Sequence, residues 1–159
     1  MVEITLSKGL RAMVDDEDAE HLQGRNWFAK RNRQNGSFYA QANDGKLPDG
    51  RKVTLLMHRI LLDAPIELDV DHINHDTLDN RRSNLRLATR SENLQNRREI
   101  TVKSRSGVRN VWWDSRACRF VVYLCLQGRK VYGGRFSDLE QAKGAAIRLR
   151  RAWHPFATN

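Results

Sequence analysis

The sequence predicts an α+β protein assembled from small modules, and three observations carry that prediction. Apolar residues alternate with a period of two through much of the first 60 residues, the pattern of half-buried strands. Further on, two groups of strand-like segments are each followed by a Ser/Thr-x-x-Glu helix start, at Thr89–Glu92 and Ser137–Glu140. With 40% hydrophobic and 30% charged residues and a mean hydropathy of -0.69, the 159 residues suit several modest cores rather than one large one.

In chain order, Val2, Ile4 and Leu6 open the alternation. Phe38, Ala40 and Ala42 continue it with Tyr39 opposite, then Val53, Leu55 and Met57. Between the first two runs, Asp15, Asp16, Glu17 and Asp18 place acids where a helix N-terminus favours them, ahead of Ala19 and Leu22, so one short helix is expected there. Asn35-Gly36 and Pro48-Asp49-Gly50 are turn signals. Residues 1–60 therefore read as a β-rich segment, with His58 at a strand end.

From Glu67 the pattern becomes a hairpin with a long polar connection, Asn74 through Ser83, and a helix that starts near Arg90 behind the Thr89 cap. Residues 61–98 form this second module. Residues 99–106 are polar and basic without periodicity and read as a linker. A third module fills 107–159. It has strands near 108–113, 119–126 and 129–136, a tight Gln127-Gly128 turn, and a helix carrying Leu139, Ala142, Ala146 and Leu149 at helical spacing.

The net charge of +9 is spread unevenly: -1 over residues 1–50, +2 over 51–98 and +8 over 99–159. A basic surface of that kind attracts phosphate backbones by releasing condensed counterions. A membrane-surface helix would need a broad apolar face beside the basic one, and the aromatic residues here lie in strand-like segments instead. No apolar run approaches the roughly 20 residues that span a bilayer, and the N-terminus lacks a leader's basic and apolar regions. A cytosolic protein with a nucleic-acid partner and no membrane partner is expected. Cys118 and Cys125 fall on opposite faces of one strand-like segment and are expected to be free thiols.

Chemistry is concentrated between Asp69 and Asn96. The run reads Asp69-Val-Asp-His-Ile-Asn-His75, then a polar turn, Ser83-Asn-Leu-Arg-Leu87, and Thr89-Arg-Ser-Glu-Asn-Leu-Gln-Asn96. Hydrolysing a phosphodiester requires an activated water, neutralised phosphate charge and a stabilised leaving oxygen. Asp71 offers an anionic oxygen and Asn93 a neutral one, a set that suits Mg²⁺, or Mn²⁺, with water and phosphate completing the shell. His72 suits the base, its ordinary pKa lying close to neutral pH. Adjacent strand residues point to opposite faces, so irregular backbone is expected at Asp71–His72. His75 lacks the cysteine or second-histidine partners of a zinc site and reads as a loop residue.

This run resembles the HNH nuclease motif of the ββα-metal fold, in the variant that ends in asparagine. The resemblance implies a metal held by Asp71 and Asn93, His72 as base, and Asn84 tying the loop so that His72 is held in place. The segment 106–156 resembles the AP2 DNA-binding domain, a three-stranded sheet backed by a helix. Its matching residues are Ser106-Gly-Val-Arg-Asn-Val-Trp-Trp-Asp114, Arg119-Phe-Val-Val-Tyr123 and Lys130-Val-Tyr-Gly-Gly-Arg-Phe136. That resemblance implies a sheet face entering the major groove of double-stranded DNA. Gly133 departs from the bulkier residue common in such domains.

Alternation puts Phe120, Val122, Leu124 and Leu126 toward the helix and Arg119 and Tyr123 outward, with Trp113 inward and Trp112 outward. Candidate DNA contacts are Arg81, Arg82 and Arg86 in the central module and Lys103 and Arg105 in the linker. The third module adds Arg109, Trp112, Arg116, Arg119, Tyr123, Arg129, Lys130 and Tyr132. Together the modules resemble the homing endonucleases of phages and mobile introns, which implies cleavage or nicking of an extended DNA site. One centre implies a monomer that cuts one strand per binding event. The rival readings are a non-catalytic DNA-binding regulator and an RNA-acting nuclease.

Overall fold

A computed structural model describes residues 1–96, 105–126 and 128–157. The chain divides into two compact units, Met1–Asn93 and Leu94–Asn159. Lys103, residues 99–104 of the expected linker and Gln127 of the expected turn lie outside the described residues. Among the described residues no helix is long and apolar enough to cross a membrane.

The first unit holds three small antiparallel sheets. Strand β1 (Val2–Thr5) pairs with β2 (Arg11–Val14), and the short helix α1 (Asp16–Ala19) follows. Strands β3 (Phe28–Arg31), β4 (Phe38–Lys46) and β5 (Lys52–Leu56) form a sheet in that order. Here the alternation divides the faces: Ala29, Ala40 and Ala42 are buried in one core with Leu6, Val14, Leu22, Trp27 and Met57. The alternating run breaks earlier than expected, because Met57 opens a helix, α2 (Met57–Leu61), and buries His58 in its first turn. Period-two reading cannot detect a turn of helix so short.

The hairpin of β6 (Asp69–His72) and β7 (Leu85–Ala88) leads to helix α3 (Arg90–Gln95). Leu85 joins the core of the N-terminal strands, so residues on both sides of position 60 share one core. The expected capping box is present: Thr89 N donates to Glu92 Oε2 at 2.7 Å and Glu92 N to Thr89 Oγ1 at 3.3 Å. The register of β6 stays regular from Asp69 opposite Ala88 to His72 opposite Leu85. The strand ends there, and irregular backbone comes later, at His75 with φ 68°.

In the second unit β8 (Val111–Asp114), β9 (Arg119–Leu126) and β10 (Arg129–Phe136) form a sheet in the order β10-β9-β8, backed by α4 (Leu139–Trp153). Val111 and Val122 pack on Ala142, Ala145 and Ala146, and small residues on the helix permit that close approach. The helix is capped by Asp138, whose side chain accepts from Gln141 N at 2.8 Å, rather than by Ser137. Both residues are good caps, and with Asp138 as cap the orphan amide satisfied is that of Gln141 rather than that of Glu140.

Gly133 has a steric reason. A Cβ there would lie 2.7 Å from Val122 Cγ1 and 2.9 Å from Leu149 Cδ2, and the neighbouring register shifts between Tyr132 and Gly134. Gly133→Ala should therefore lower the unfolding free energy of this unit by about 1–3 kcal/mol, measured by denaturant titration.

Candidate active site

The loop from 73 to 84 satisfies its backbone largely with its own side chains. Asn74 Oδ1 accepts from Asp76 N at 2.8 Å, and Asp76 Oδ1 from Leu78 N at 3.0 Å. Asn84 joins the two ends of the loop. Its Oδ1 accepts from Asn74 N at 2.9 Å, its Nδ2 donates to the Asp79 carbonyl at 2.7 Å, and its carbonyl accepts from Ile73 N at 2.9 Å.

The N-terminal strands bracket this loop from outside. Met13 N donates to the Leu78 carbonyl at 2.9 Å, Asn80 N to the Met13 carbonyl at 2.8 Å, and Thr77 Oγ1 to the Phe38 carbonyl at 2.6 Å.

His72, at the end of β6, is buried. Its Nε2 lies 3.4 Å from Asn80 Oδ1, and Asn80 Nδ2 donates to the Leu78 carbonyl at 3.1 Å. With the amide nitrogen so committed, the oxygen faces the ring and Nε2 is the nitrogen that donates. The rings of His58 and Tyr39 stand edge-on to His72, with centroids 5.1 and 6.1 Å away. Burial pushes the His72 pKa below its ordinary range, opposed by Asn80 and by Asp71, Asp76 and Asp79. His58 is pushed down to about 3, by burial first and then by His72 and Arg59. Both rings are neutral at neutral pH, the form in which imidazole accepts a proton.

That burial has a pH signature. Below the ordinary value of 6.5 the unfolded chain takes up a proton at His58, whereas the folded chain resists uptake down to about 3. The first unit should thus lose stability as pH falls through that window, by about 2–3 kcal/mol between roughly pH 7 and pH 4.5. Denaturant titrations at the two pH values test this, with His58→Phe expected to flatten the difference.

Strand parity puts Asp69 and Asp71 on the face of β6 opposite His72. Arg86, directly across the hairpin from Asp71, donates to its Oδ2 through Nε at 2.8 Å and Nη2 at 2.6 Å. Asn93 meets Asp69: its Nδ2 donates to Asp69 Oδ2 at 2.9 Å, with Arg90 at 3.2 Å from the same oxygen. Asn93 and then Arg90 hold the Asp69 carboxyl below the usual carboxylate range.

With Nδ2 spent on Asp69, Asn93 Oδ1 is the atom left to ligate. Together with the aspartate oxygens it makes a hard donor set that fits Mg²⁺. Among the described residues no three His, Cys, Asp or Glu side chains group as a metal site.

The three central arginines each hold a carboxylate. Arg81 makes two bonds of 2.7 Å to buried Asp79, Arg82 grips buried Asp18 at 2.8–3.1 Å, and Arg86 holds Asp71. In the second unit, register puts Trp112, Arg119, Tyr123, Lys130 and Tyr132 on the sheet face away from α4. Trp112 stacks on Tyr123 at 3.7 Å and 9°, and the Lys130 ammonium lies 4.7 Å from the Tyr123 ring centre. Trp113 takes the other face, tilted against Phe120. Arg105, Arg116 and Arg129 are exposed, and Arg109 donates to the Leu94 carbonyl at 3.3 Å. Cys118 and Cys125 are free and exposed.

Sequence reasoning missed Tyr39 and His58 as neighbours of His72, Asp69 as the partner of Asn93, and Asn80 as the partner of His72. The one available signal was Asn80 inside an otherwise loop-shaping run, and composition alone does not separate an Asx turn from a buried contact to a ring.

Residues 40–95 match a family model described as HNH endonuclease. No curated protein and no solved structure matches the chain. The matched segment runs from β4 into α3 and contains His58, Asp71, His72, Asn84 and Asn93. It supports a nuclease, a hydrolase with a nucleic-acid substrate.

Proposed function

We propose that this protein is a Mg²⁺-dependent DNA endonuclease of the homing type, in which His72 is the general base and Asp71 and Asn93 hold the metal. The observation that carries the reading is the buried, neutral His72 ring. It stands at the end of β6, where the strand stops, next in sequence to Asp71 and inside the segment that matches the HNH model. His72 takes a proton from the attacking water. Asn80 keeps the ring from rotating by holding Nε2, and the loop closed by Asn84 fixes the ring's height above the strand. When bound, Mg²⁺ supplies neutralisation of phosphate charge and of the departing oxygen.

The outer face of the β8–β10 sheet supports DNA binding by an AP2-like reader, since it joins a flat aromatic stack to Arg119 and Lys130; Arg105, Arg109 and Arg116 are exposed or half-exposed in the same unit, whereas register sets Arg129 opposite Leu126, on the helix side of the sheet. Lys103 adds charge to that half of the chain. Arg81, Arg82 and Arg86 serve the fold first. A monomer with one centre nicks one strand per encounter.

Supercoiled plasmid incubated with Mg²⁺ or with EDTA tests the reading. Open circles formed with Mg²⁺ and absent in EDTA are expected, accumulating before linear DNA. Binding without cleavage on plasmids of diverse sequence would favour the regulator, and preferential cleavage of structured RNA the RNA-acting enzyme.

A further inference from the structure

One face of the β3-β4-β5 sheet buries its alanines, and the other remains to be explained. Register sets Lys30 opposite Tyr39, Phe28 opposite Gln41 and Gln41 opposite Leu56, so these five side chains share that second face. Instead of being covered by a helix, this face walls a pocket of about 420 Å³. Arg31 completes the wall at the edge strand, and His58, Asp69 and Asn93 line the pocket across from it. Pockets of roughly 300–1,000 Å³ are the size that holds a small-molecule-sized group.

The charges in the pocket are arranged by side. Among the described residues neither Lys30 nor Arg31 pairs with a carboxylate, and Arg31 Nε donates to the Gly36 carbonyl at 3.2 Å. Arg59 spends its donors on the Leu68, Ala64 and Pro65 carbonyls. Asp69, the acid of the pocket, is held by Asn93 and Arg90. The pocket thus has a cationic rim at β3, an aromatic wall at Tyr39, and the proposed metal-binding asparagine at its far side. His58, 6% exposed, has no partner for Nδ1. A polymer that is anionic at regular intervals and carries flat rings between its charges fits such a lining.

We propose that this pocket seats the nucleotide adjacent to the scissile phosphate, with Lys30 and Arg31 on its phosphate and Tyr39 against its sugar. The inference rests on the nuclease reading, and it gives the β-rich N-terminal segment a part in holding substrate.

The test measures DNA binding by the full chain in the His72→Ala background, where cutting is not needed for the readout, across a salt series with Mg²⁺ present. Lys30→Gln/Arg31→Gln should weaken binding about 10- to 100-fold and flatten the slope of log affinity against log salt by about 1.8, two phosphate contacts' worth. Lys46→Gln/Lys52→Gln removes the same charge from the same sheet outside the pocket and should change both quantities far less. Gln41→Trp fills the pocket without changing charge and should also weaken binding.

Equal effects of the two charge pairs, or full binding by Gln41→Trp, would overturn the proposal. Both pairs and Gln41 lie on exposed or half-exposed strand positions, so the variants should fold, and thermal melts check that they do. Plasmid nicking by the wild type is scored separately. Its absence beside the expected binding changes would sink the nuclease reading and leave a nucleotide-binding pocket with no scissile phosphate beside it.

Discussion

His72→Ala should abolish Mg²⁺-dependent nicking while leaving DNA affinity within a few-fold of the parent. The ring stands at the end of β6 inside the matched segment, and its burial beside His58 and Tyr39 favours the unprotonated form. Removing a general base typically costs about 10²- to 10⁴-fold in rate. Single-turnover nicking of plasmid gives the rate, and filter binding or anisotropy gives the affinity. A variant that nicks at the parental rate would show that the base lies elsewhere.

Asn80→Ala should give a smaller loss, because it removes a restraint on the ring rather than the ring itself. The ¹⁵N shifts of His72 separate the two cases, since loss of the Asn80 oxygen redistributes the ring proton between its nitrogens. His72→Ala has no such signal.

Much of this architecture could be read from the chain because its local signals agree. Thr89 and Glu92 cap α3 where expected, and the alternation from Arg119 to Leu126 separates the helix-facing residues from the outer face. The readings that shifted share a physical origin. Asp138 displaced Ser137 as cap because two adjacent residues offered the same acceptor. Met57 and His58 left the strand pattern for a single helical turn that period-two reading cannot register.

Side-chain partnerships were the least readable. Arg81, Arg82 and Arg86 counted as surface cations until the fold supplied Asp79, Asp18 and Asp71, the last two from distant or cross-strand positions. Asn93 was expected to share a metal with Asp71, and nothing in the sequence indicated that its amide nitrogen would bond Asp69, two residues along the same face. Parity gives the face that a residue occupies, and it leaves open which neighbour on that face is met.

Asn84→Ala should destabilise the first unit and slow nicking together, and the pairing of the two effects is the informative result. Its side chain satisfies Asn74 N and the Asp79 carbonyl, joining the two ends of a loop that short-range Asx contacts and bonds with Met13 and Phe38 otherwise hold. Deleting the amide leaves a donor and an acceptor unsatisfied in a buried setting, a loss of about 2–4 kcal/mol. Asp79 and Asn80 then lose the tie between the loop's ends, and with it the fixed approach of Asn80 to His72.

Asn84→Asp separates stability from geometry. It keeps the acceptor for Asn74 N but turns the donor to the Asp79 carbonyl into a second oxygen beside it. Oxygen facing oxygen is repulsive, so the loop should open at the Asp79 end, where the Asn80 contact to His72 begins. Chemical denaturation should show a smaller stability loss than for the alanine variant, with nicking reduced at least as far. If nicking tracked stability alone across the two variants, Asn84 would be holding the fold and not the base. A rate loss in the aspartate variant beyond its stability loss would assign the residue to keeping His72 in position.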